Sequence, residues 1–362
     1  FYNSIGLAEI GGGNVISANG ISGVLLHDGA SRNILSNNFI GLDVTGLIDL
    51  GNSVDGVIIE NAPENYVGAD FFDSGVVGNV ISGNDRHGVH LLDGDAFDNV
   101  IERNRIGVGV DGATPLPNLA SGVFVDRAPN NTIGSADEPP QGNVIAYNGE
   151  DGVTVKETTG VAIRRNAMYA NGGLAIDLDD NGMSPNDIPD DDPGANELRN
   201  FPQILAAVNA DVTYVTGELA SVPDTAFRIE FFSSLDCDVS GHGEGGQYCG
   251  GTDVTTGANG TTSFHLALPE LVPGELRLTA TSTDPLGNTS EFSACVEVVP
   301  VSPADFDLDG DVDDENYVTF FDCVTGPMNG PLTKGCDLAD LDDDVDVDLE
   351  DFRLFSLQFT AE

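Results

Sequence analysis

Short apolar runs separated by Gly and Asn recur along the first 200 or so residues. The phrase Gly13-Asn14-Val15-Ile16-Ser17-Ala18-Asn19, followed by Gly23-Val24, returns as Gly78-Asn79-Val80-Ile81-Ser82-Gly83-Asn84 with Gly88-Val89. It returns again as Gly142-Asn143-Val144-Ile145-Ala146-Tyr147-Asn148 with Gly152-Val153. A spacing of about 65 residues, kept twice, marks a repeat architecture. Lesser repeats fill the space between. Asn33-Ile34-Leu35-Ser36-Asn37-Asn38-Phe39-Ile40-Gly41 matches Asn99-Val100-Ile101-Glu102-Arg103-Asn104-Arg105-Ile106-Gly107, and Val161-Ala162-Ile163-Arg164-Arg165-Asn166 is a decayed third copy. The pattern predicts short β-branched strands that bury nothing alone. Stacked as coils of a solenoid, their inward Val, Ile and Leu make one continuous core. Asn at a fixed corner of each coil tolerates left-handed backbone and can bond the next coil.

This pattern resembles the right-handed parallel β-helix repeats of bacterial extracellular proteins, the fold shared with pectate lyases. The resemblance covers residues 1–200 and implies the fold rather than a reaction. Two insertions, residues 42–52 and 108–118, occupy equivalent places and so fall on one face. They are either a binding face or inherited turn decoration. The solenoid must end, because an open last coil exposes unpaired edges. Gly172-Gly173-Leu174-Ala175-Ile176-Asp177-Leu178 reads as the last strand, followed by an acidic, Pro-containing run. Asp177, Asp179 and Asn181 before Gly182 have the alternate-oxygen spacing of a calcium loop, and equally suit a solvated cap loop.

After Asn200-Phe201-Pro202 the period changes to strict alternation, with strands expected over 212–217, 227–232, 263–268 and 275–281. Strands at this interval over 201–299 predict an immunoglobulin-like β-sandwich. The segments around Phe231-Phe232, Cys237-Asp238, Gly241-His242-Gly243-Glu244-Gly245 and Thr289–Cys295 resemble a module that follows such β-helices in secreted bacterial proteins. That resemblance implies a Cys237–Cys295 disulfide; a local Cys237–Cys249 bridge is the rival. His242 beside Glu244 is either a metal ligand or part of a polar loop.

Residues 300–362 carry the sharpest chemical pattern. Asp305, Asp307, Asp309, Asp311 and Asp313 stand at positions one, three, five, seven and nine of a twelve-residue calcium loop, with Gly310 at six and Asn316 at twelve. Asp340, Asp342, Asp344, Asp346, Asp348 and Asp351 repeat the pattern at one, three, five, seven, nine and twelve. Tyr317, Phe320, Phe321 and Val324 follow the first copy at helical spacing, and Phe352, Phe355 and Leu357 follow the second. The sixth position of the second copy is Val345, where left-handed backbone costs a β-branched residue on the order of 1–2 kcal/mol. The second loop is therefore expected to bind calcium more weakly or to be distorted. The paired loop–helix units resemble a dockerin module, which implies Ca²⁺ and a cohesin-type partner. Cys323 and Cys336 flank the linker between the copies and are placed to pair.

Composition sharpens this reading. Acidic residues number 60 against 13 basic, a net charge of −47. So negative a surface excludes nucleic acid and anionic lipid as natural partners. The acids are calcium ligands, a solubilising shell, or both. No apolar run reaches about 18 residues, so no membrane span is expected. Five cysteines suggest two disulfides, one leftover thiol and an extracellular or cell-surface setting. The chain opens on repeat material, so it is expected to be part of a longer one.

Two functions fit. One is a non-catalytic scaffold or carbohydrate-binding solenoid attached through the dockerin-like tail. The other is a lyase or hydrolase of acidic polysaccharides. A lyase needs carboxylates and an Arg or Lys base over one groove. The candidates are Arg103, Arg105, Arg164, Arg165 and Lys156, near Glu102, Asp98 and Glu157. Arg103 and Arg165 are equivalent in the repeat and are expected about three coils apart, roughly 15 Å. For a hydrolase, Asp93 with Asp95 is the nearest acid pair.

Overall fold

A computed structural model describes residues 3–6, 12–68, 78–135, 142–209, 212–271, 276–307, 309, 311–326, 332, 336, 339–342 and 344–359. Within residues 3–178, three parallel sheets of six strands each wind around one axis as a β-helix solenoid. The first sheet stacks Ser4–Ile5, Ile34–Leu35, Tyr66–Val67, Val100–Ile101, Thr132–Gly134 and Ala162–Arg164. The second stacks Val15–Ile16, Phe39–Ile40, Val80–Ile81, Arg105–Ile106, Val144–Ala146 and Ala167–Tyr169. The third stacks Val24–His27, Val57–Glu60, Val89–Leu92, Val123–Asp126, Val153–Lys156 and Ile176–Leu178.

Register keeps like residues above one another. Ile40, Ile81, Ile106 and Ile145 form one inward column, and Val57, Val89, Val123 and Val153 another. All eight are fully buried. Each side chain thus packs on its counterpart in the next coil, which is why the strands can be only two to four residues long.

The coil is half the sequence repeat. The second and fourth coils turn sharply from the first to the second sheet and carry an insertion between the second and third. Odd coils do the reverse, so two coils make one repeat of about 65 residues. Arg103 and Arg165 therefore lie in the fourth and sixth coils, two coils apart and not three, or about 10 Å at the inter-strand spacing.

Asparagines run along all three corners. Asn14, Asn38, Asn79, Asn104, Asn143 and Asn166 form one ladder, each Nδ2 donating to the next Oδ1 at 2.8–3.0 Å. Asn19, Asn52, Asn84, Asn118, Asn148 and Asn171 form a second, at 2.7–3.0 Å. Asn3, Asn33, Asn65, Asn99 and Asn131 form a third, at 2.8–3.1 Å. In Asn79 the amide also donates to the Leu35 carbonyl at 2.8 Å, so its donors and acceptor are all used. A buried amide satisfied in this way stabilises; one left short of partners would cost about 1–3 kcal/mol.

The chain forms two compact units: residues 1–203, 218–263 and 277–295, and residues 204–217, 264–276 and 296–362. In the first unit the strands Ala226–Ser234, Gln247–Thr255 and Arg277–Thr283 make an antiparallel array centred on the first of them. Phe232 and Phe292 join the core of the solenoid itself.

These segments close the last coil. Its backbone N–H groups have no further coil to bond, and side chains take that place. Ile163 N donates to Thr289 Oγ1 at 2.9 Å, Arg165 N to Glu230 at 3.1 Å, Ala170 N to Glu244 at 2.8 Å and Leu178 N to Glu291 at 2.9 Å. Met168 N donates to the Gly245 carbonyl at 2.8 Å. The open edge is thus paired, as an edge strand requires. Cys237 bonds Cys295 with Cα atoms 6.3 Å apart, and Cys249 stays a thiol.

A further sheet, most of whose residues belong to the second unit, runs in the order Thr261–Leu268, Thr213–Ala220, Gln203–Asn209, Val299–Pro300. Two helices follow, α1 (Asp314–Cys323) and α2 (Leu349–Ser356). Cys323 bonds Cys336, Cα to Cα 5.4 Å. No helix among the described residues is long and apolar enough to cross a membrane.

Candidate functional sites

The acidic loops of the second unit are built by the starts of α1 and α2. Asp313 caps α1, accepting from Glu315 N at 2.8 Å, and Asn316 Oδ1 accepts from Asp313 N in return. Asp348 and Asp351 repeat this capping box on α2. Asn316 Nδ2 also donates to Asp307 Oδ1 at 2.8 Å, so the twelfth residue of the first loop holds the third. Asp305, Asp307 and Asp309 each offer a carboxylate oxygen within 4.8 Å of the others. Gly310 lies outside the described residues.

In the second loop Asp351 is fully buried and takes part in two such groups, with Asp340 and Asp342 and with Asp346 and Asp348. Its Oδ1 accepts from Leu341 N at 2.7 Å and its Oδ2 from Asp348 N at 2.8 Å. Asp340 accepts from Asp344 N and Val345 N at 3.0 and 2.9 Å, which winds the loop around the first ligand position. Val345 stands at φ +75°, the left-handed conformation its place in the loop demands. Loss of hydration and the neighbouring Asp351 and Asp344 carboxylates push Asp342 above its usual range. Convergent hard oxygens of like charge are a donor set that could hold Ca²⁺. The group would be held by Asp305, Asp307 and Asp309 in one loop and by Asp340, Asp342, Asp346, Asp348 and Asp351 in the other.

Val312 and Val347, the eighth residues of the two loops, share one small core with Phe320, Phe355, Cys323 and Cys336. Outside it, Tyr317, Phe320, Phe321, Val324, Leu349 and Phe352 line an apolar cleft of about 270 Å³ between the helices. Phe321 and Leu349 are 64% and 81% exposed there.

The basic residues of the solenoid do not meet in one groove. Arg165 is buried, paired with Glu230 at 3.3 Å and set 5.1 Å over the Tyr248 ring. Arg164 joins the same carboxylate at 3.4 Å. Arg103 sits at a corner in left-handed backbone, φ +62°, beside Glu102. Arg105 faces outward from the second sheet, where a Cβ at Gly112 would stand 3.4 Å from its Nε. Lys156 pairs with Asp180 at 3.0 Å and Asp93 with Arg127 at 3.0 Å.

The two insertions are packed elements. Val110 N donates to the Gly46 carbonyl at 3.0 Å, so they join across the intervening coil. Tyr169 Oη reaches the Gly112 carbonyl at 3.3 Å. The Asp177 carboxylate accepts from Asn181 N and Gly182 N at 3.1 and 2.9 Å, as a capped turn does. Glu244 is spent on Ala170 N, and His242 Nδ1 lies 3.0 Å from the Phe292 carbonyl.

Sequence reasoning missed a polar cluster on the outer face of the third sheet. The residue before each Gly-Val step points outward: Ser22, Asp55, His87, Ser121 and Asp151 in successive coils. Asp55 is fully buried, paired with Arg86 and accepting from His87 N at 3.1 Å. Arg86 also reaches His90 Nδ1 at 2.8 Å. His87 stacks on Phe124 at 4.5 Å, and His90 meets the same ring edge-on at 5.3 Å. Burial outweighs the nearby Asp55 charge and lowers His87 to about 4. The His90 and Arg86 bonds hold Asp55 near 2 against its own burial. Farther along, Thr154 donates to Asp151 at 2.9 Å, and burial raises Asp151 to about 6. The signal was the variation among copies at one repeat position.

No protein-family model matches the chain, and no curated protein does. Among solved structures, full-length tailspike protein 2 of Escherichia coli O157:H7 bacteriophage CAB120 aligns over 76% of this chain at 11% identity, with a TM-score of 0.10. The aligned part spans 64% of that tailspike's length. The β-helix rests on the three stacked sheets, not on this likeness.

Proposed function

We propose that the protein is an extracellular or cell-surface β-helix scaffold that presents a carbohydrate-binding face and is attached through a calcium-dependent, dockerin-like module. The observation that carries this reading is the duplicated convergence of carboxylate oxygens, each group beside a helix start capped by a residue of its own loop. Such clusters repel until a cation neutralises them, so binding and folding of this module are one event. The apolar cleft between the helices, with half-exposed Tyr317 and Phe352, suits a cohesin-like partner. The strands of 201–299 are read as an immunoglobulin-like module. Two disulfides fit an oxidising, extracellular setting.

The lyase or hydrolase reading has less support, because Arg165 is committed to Glu230. The carbohydrate role is assigned to the third sheet, on whose outer face Arg86 and Phe124 are the partly exposed members of the polar cluster. Calcium titration of the full chain, followed by far-ultraviolet circular dichroism and calorimetry, should show helix gain saturating at two ions. No gain removes the attachment reading. Binding of neutral and acidic glycans without new reducing ends or unsaturated products supports the scaffold; turnover of any of them overturns it.

A further inference from the structure

The second unit has an element its two acidic loops do not need for ligation, the Cys323–Cys336 disulfide. We infer that this bond sets the calcium affinity of both loops by making them one folding unit; the inference rests on the calcium reading above. The path is continuous. Asp313 and Asn316, from the ninth and twelfth positions of the first loop, fix the start of α1. Cys323 is the last residue of that helix. Across the bond, Cys336 accepts from Ala339 N at 3.0 Å, and this turn delivers Asp340, the first position of the second loop. Along the chain from Cys323, Thr325 N and Gly326 N donate to the Val347 carbonyl at 2.9 and 3.0 Å. Val347 N returns a bond to Thr325 Oγ1 at 3.0 Å. The second loop is thus held at its first and eighth positions by two routes that both start at Cys323. Cys323 and Cys336 are 7% exposed and packed in the core that Val312 and Val347 share.

The carboxylates oppose this arrangement when no cation is present, so what holds the folded form appears as calcium affinity. The bond spans a sequence separation of 13. Closing a loop of that size in the unfolded chain corresponds to about 100-fold in the product of the two calcium binding constants.

The test is calcium titration of the full chain against its C323S/C336S double variant, read by calorimetry and helical ellipticity. A C237S/C295S variant serves as the control for losing a disulfide elsewhere. The expected result is one cooperative transition in the parent and in the control. In the C323S/C336S protein the midpoint rises about 10-fold per site, and ellipticity recovers fully at saturating calcium. Equal midpoints in parent and double variant overturn the inference while leaving the calcium reading intact. A double variant that recovers no helix at any calcium concentration also overturns it, because the bond would then be a condition of folding. A parent that binds no calcium overturns the calcium reading and this inference together.

Discussion

Glu230 accepts the backbone N–H of Arg165 at 3.1 Å and pairs with the same residue's side chain at 3.3 Å. One carboxylate thereby satisfies the open edge of the last coil and neutralises a buried guanidinium. It is fully buried, and desolvation raises its pKa in spite of Arg164 and Arg165 beside it. Removing one member of a buried pair leaves the others uncompensated and costs about 3–5 kcal/mol. Glu230→Ala should therefore lower the urea midpoint of the first compact unit severely. Glu230→Gln keeps an acceptor for Arg165 N and should cost less. Equal losses in the two variants would show that the charge, not the edge bond, is what matters.

The asparagine ladders allow a graded test. Asn79 is fully buried between Asn38 and Asn104 and bonds three residues, Asn38, Leu35 and Asn104. Asn79→Ala leaves Asn38 N without its acceptor and takes one of two donors from the Leu35 carbonyl, at about 1–3 kcal/mol. Asn14 begins the same ladder, is exposed, and loses only its side-chain bond to Asn38. Asn14→Ala should cost well under half as much in thermal or urea unfolding. If both substitutions cost the same, the ladder adds nothing beyond the local turn.

These residues also show what could be read in advance. The coil was legible because inward Val and Ile and corner Asn recur at fixed spacing. The two-coil period was not, because insertions alternate between corners and the phrase returns only every second coil. The acidic loops were legible because their ligand spacing is local. Asp55 and Arg86 were not, because 31 residues separate them and only the register of the third sheet brings them together. The cap was hidden for a related reason. Glu230, Glu244 and Glu291 bond backbone N–H groups, which no side-chain pattern announces.

Stability should depend on pH through Glu291. It is 3% exposed and accepts from Leu178 N and Ser184 N at 2.9 and 2.8 Å, yet burial raises it to about 8. The folded state therefore keeps a proton that the unfolded state releases above its ordinary value of 4.5. The stability this group contributes is fully present below 4.5 and is lost as pH rises to about 8. His87 acts in the opposite sense. Its folded value of about 4 lies below the unfolded 6.5, so its contribution is present above 6.5 and is lost as pH falls toward 4. The parent should be most stable near the middle of this span. Glu291→Gln should remove the alkaline fall of a melting-temperature profile and unmask the His87 rise between 4.5 and 6.5. An unaltered alkaline slope would place the titrating group elsewhere.

The last prediction concerns Val345. At φ +75° its branched Cβ crowds the following carbonyl, a cost of about 1–2 kcal/mol that glycine avoids. Its side chain is 58% exposed, so removing it forfeits little packing. Glycine gains freedom in the unfolded chain, which takes back about 0.5–1 kcal/mol. Val345→Gly should therefore strengthen the second loop by roughly 1 kcal/mol, or about fivefold in its calcium constant if binding and folding are linked. Val345→Ala keeps a Cβ and should recover only part of this. Because the two loops bind in one transition, calorimetry should show the product of the two calcium constants rise about fivefold. No rise would mean that the sixth position does not limit the second loop.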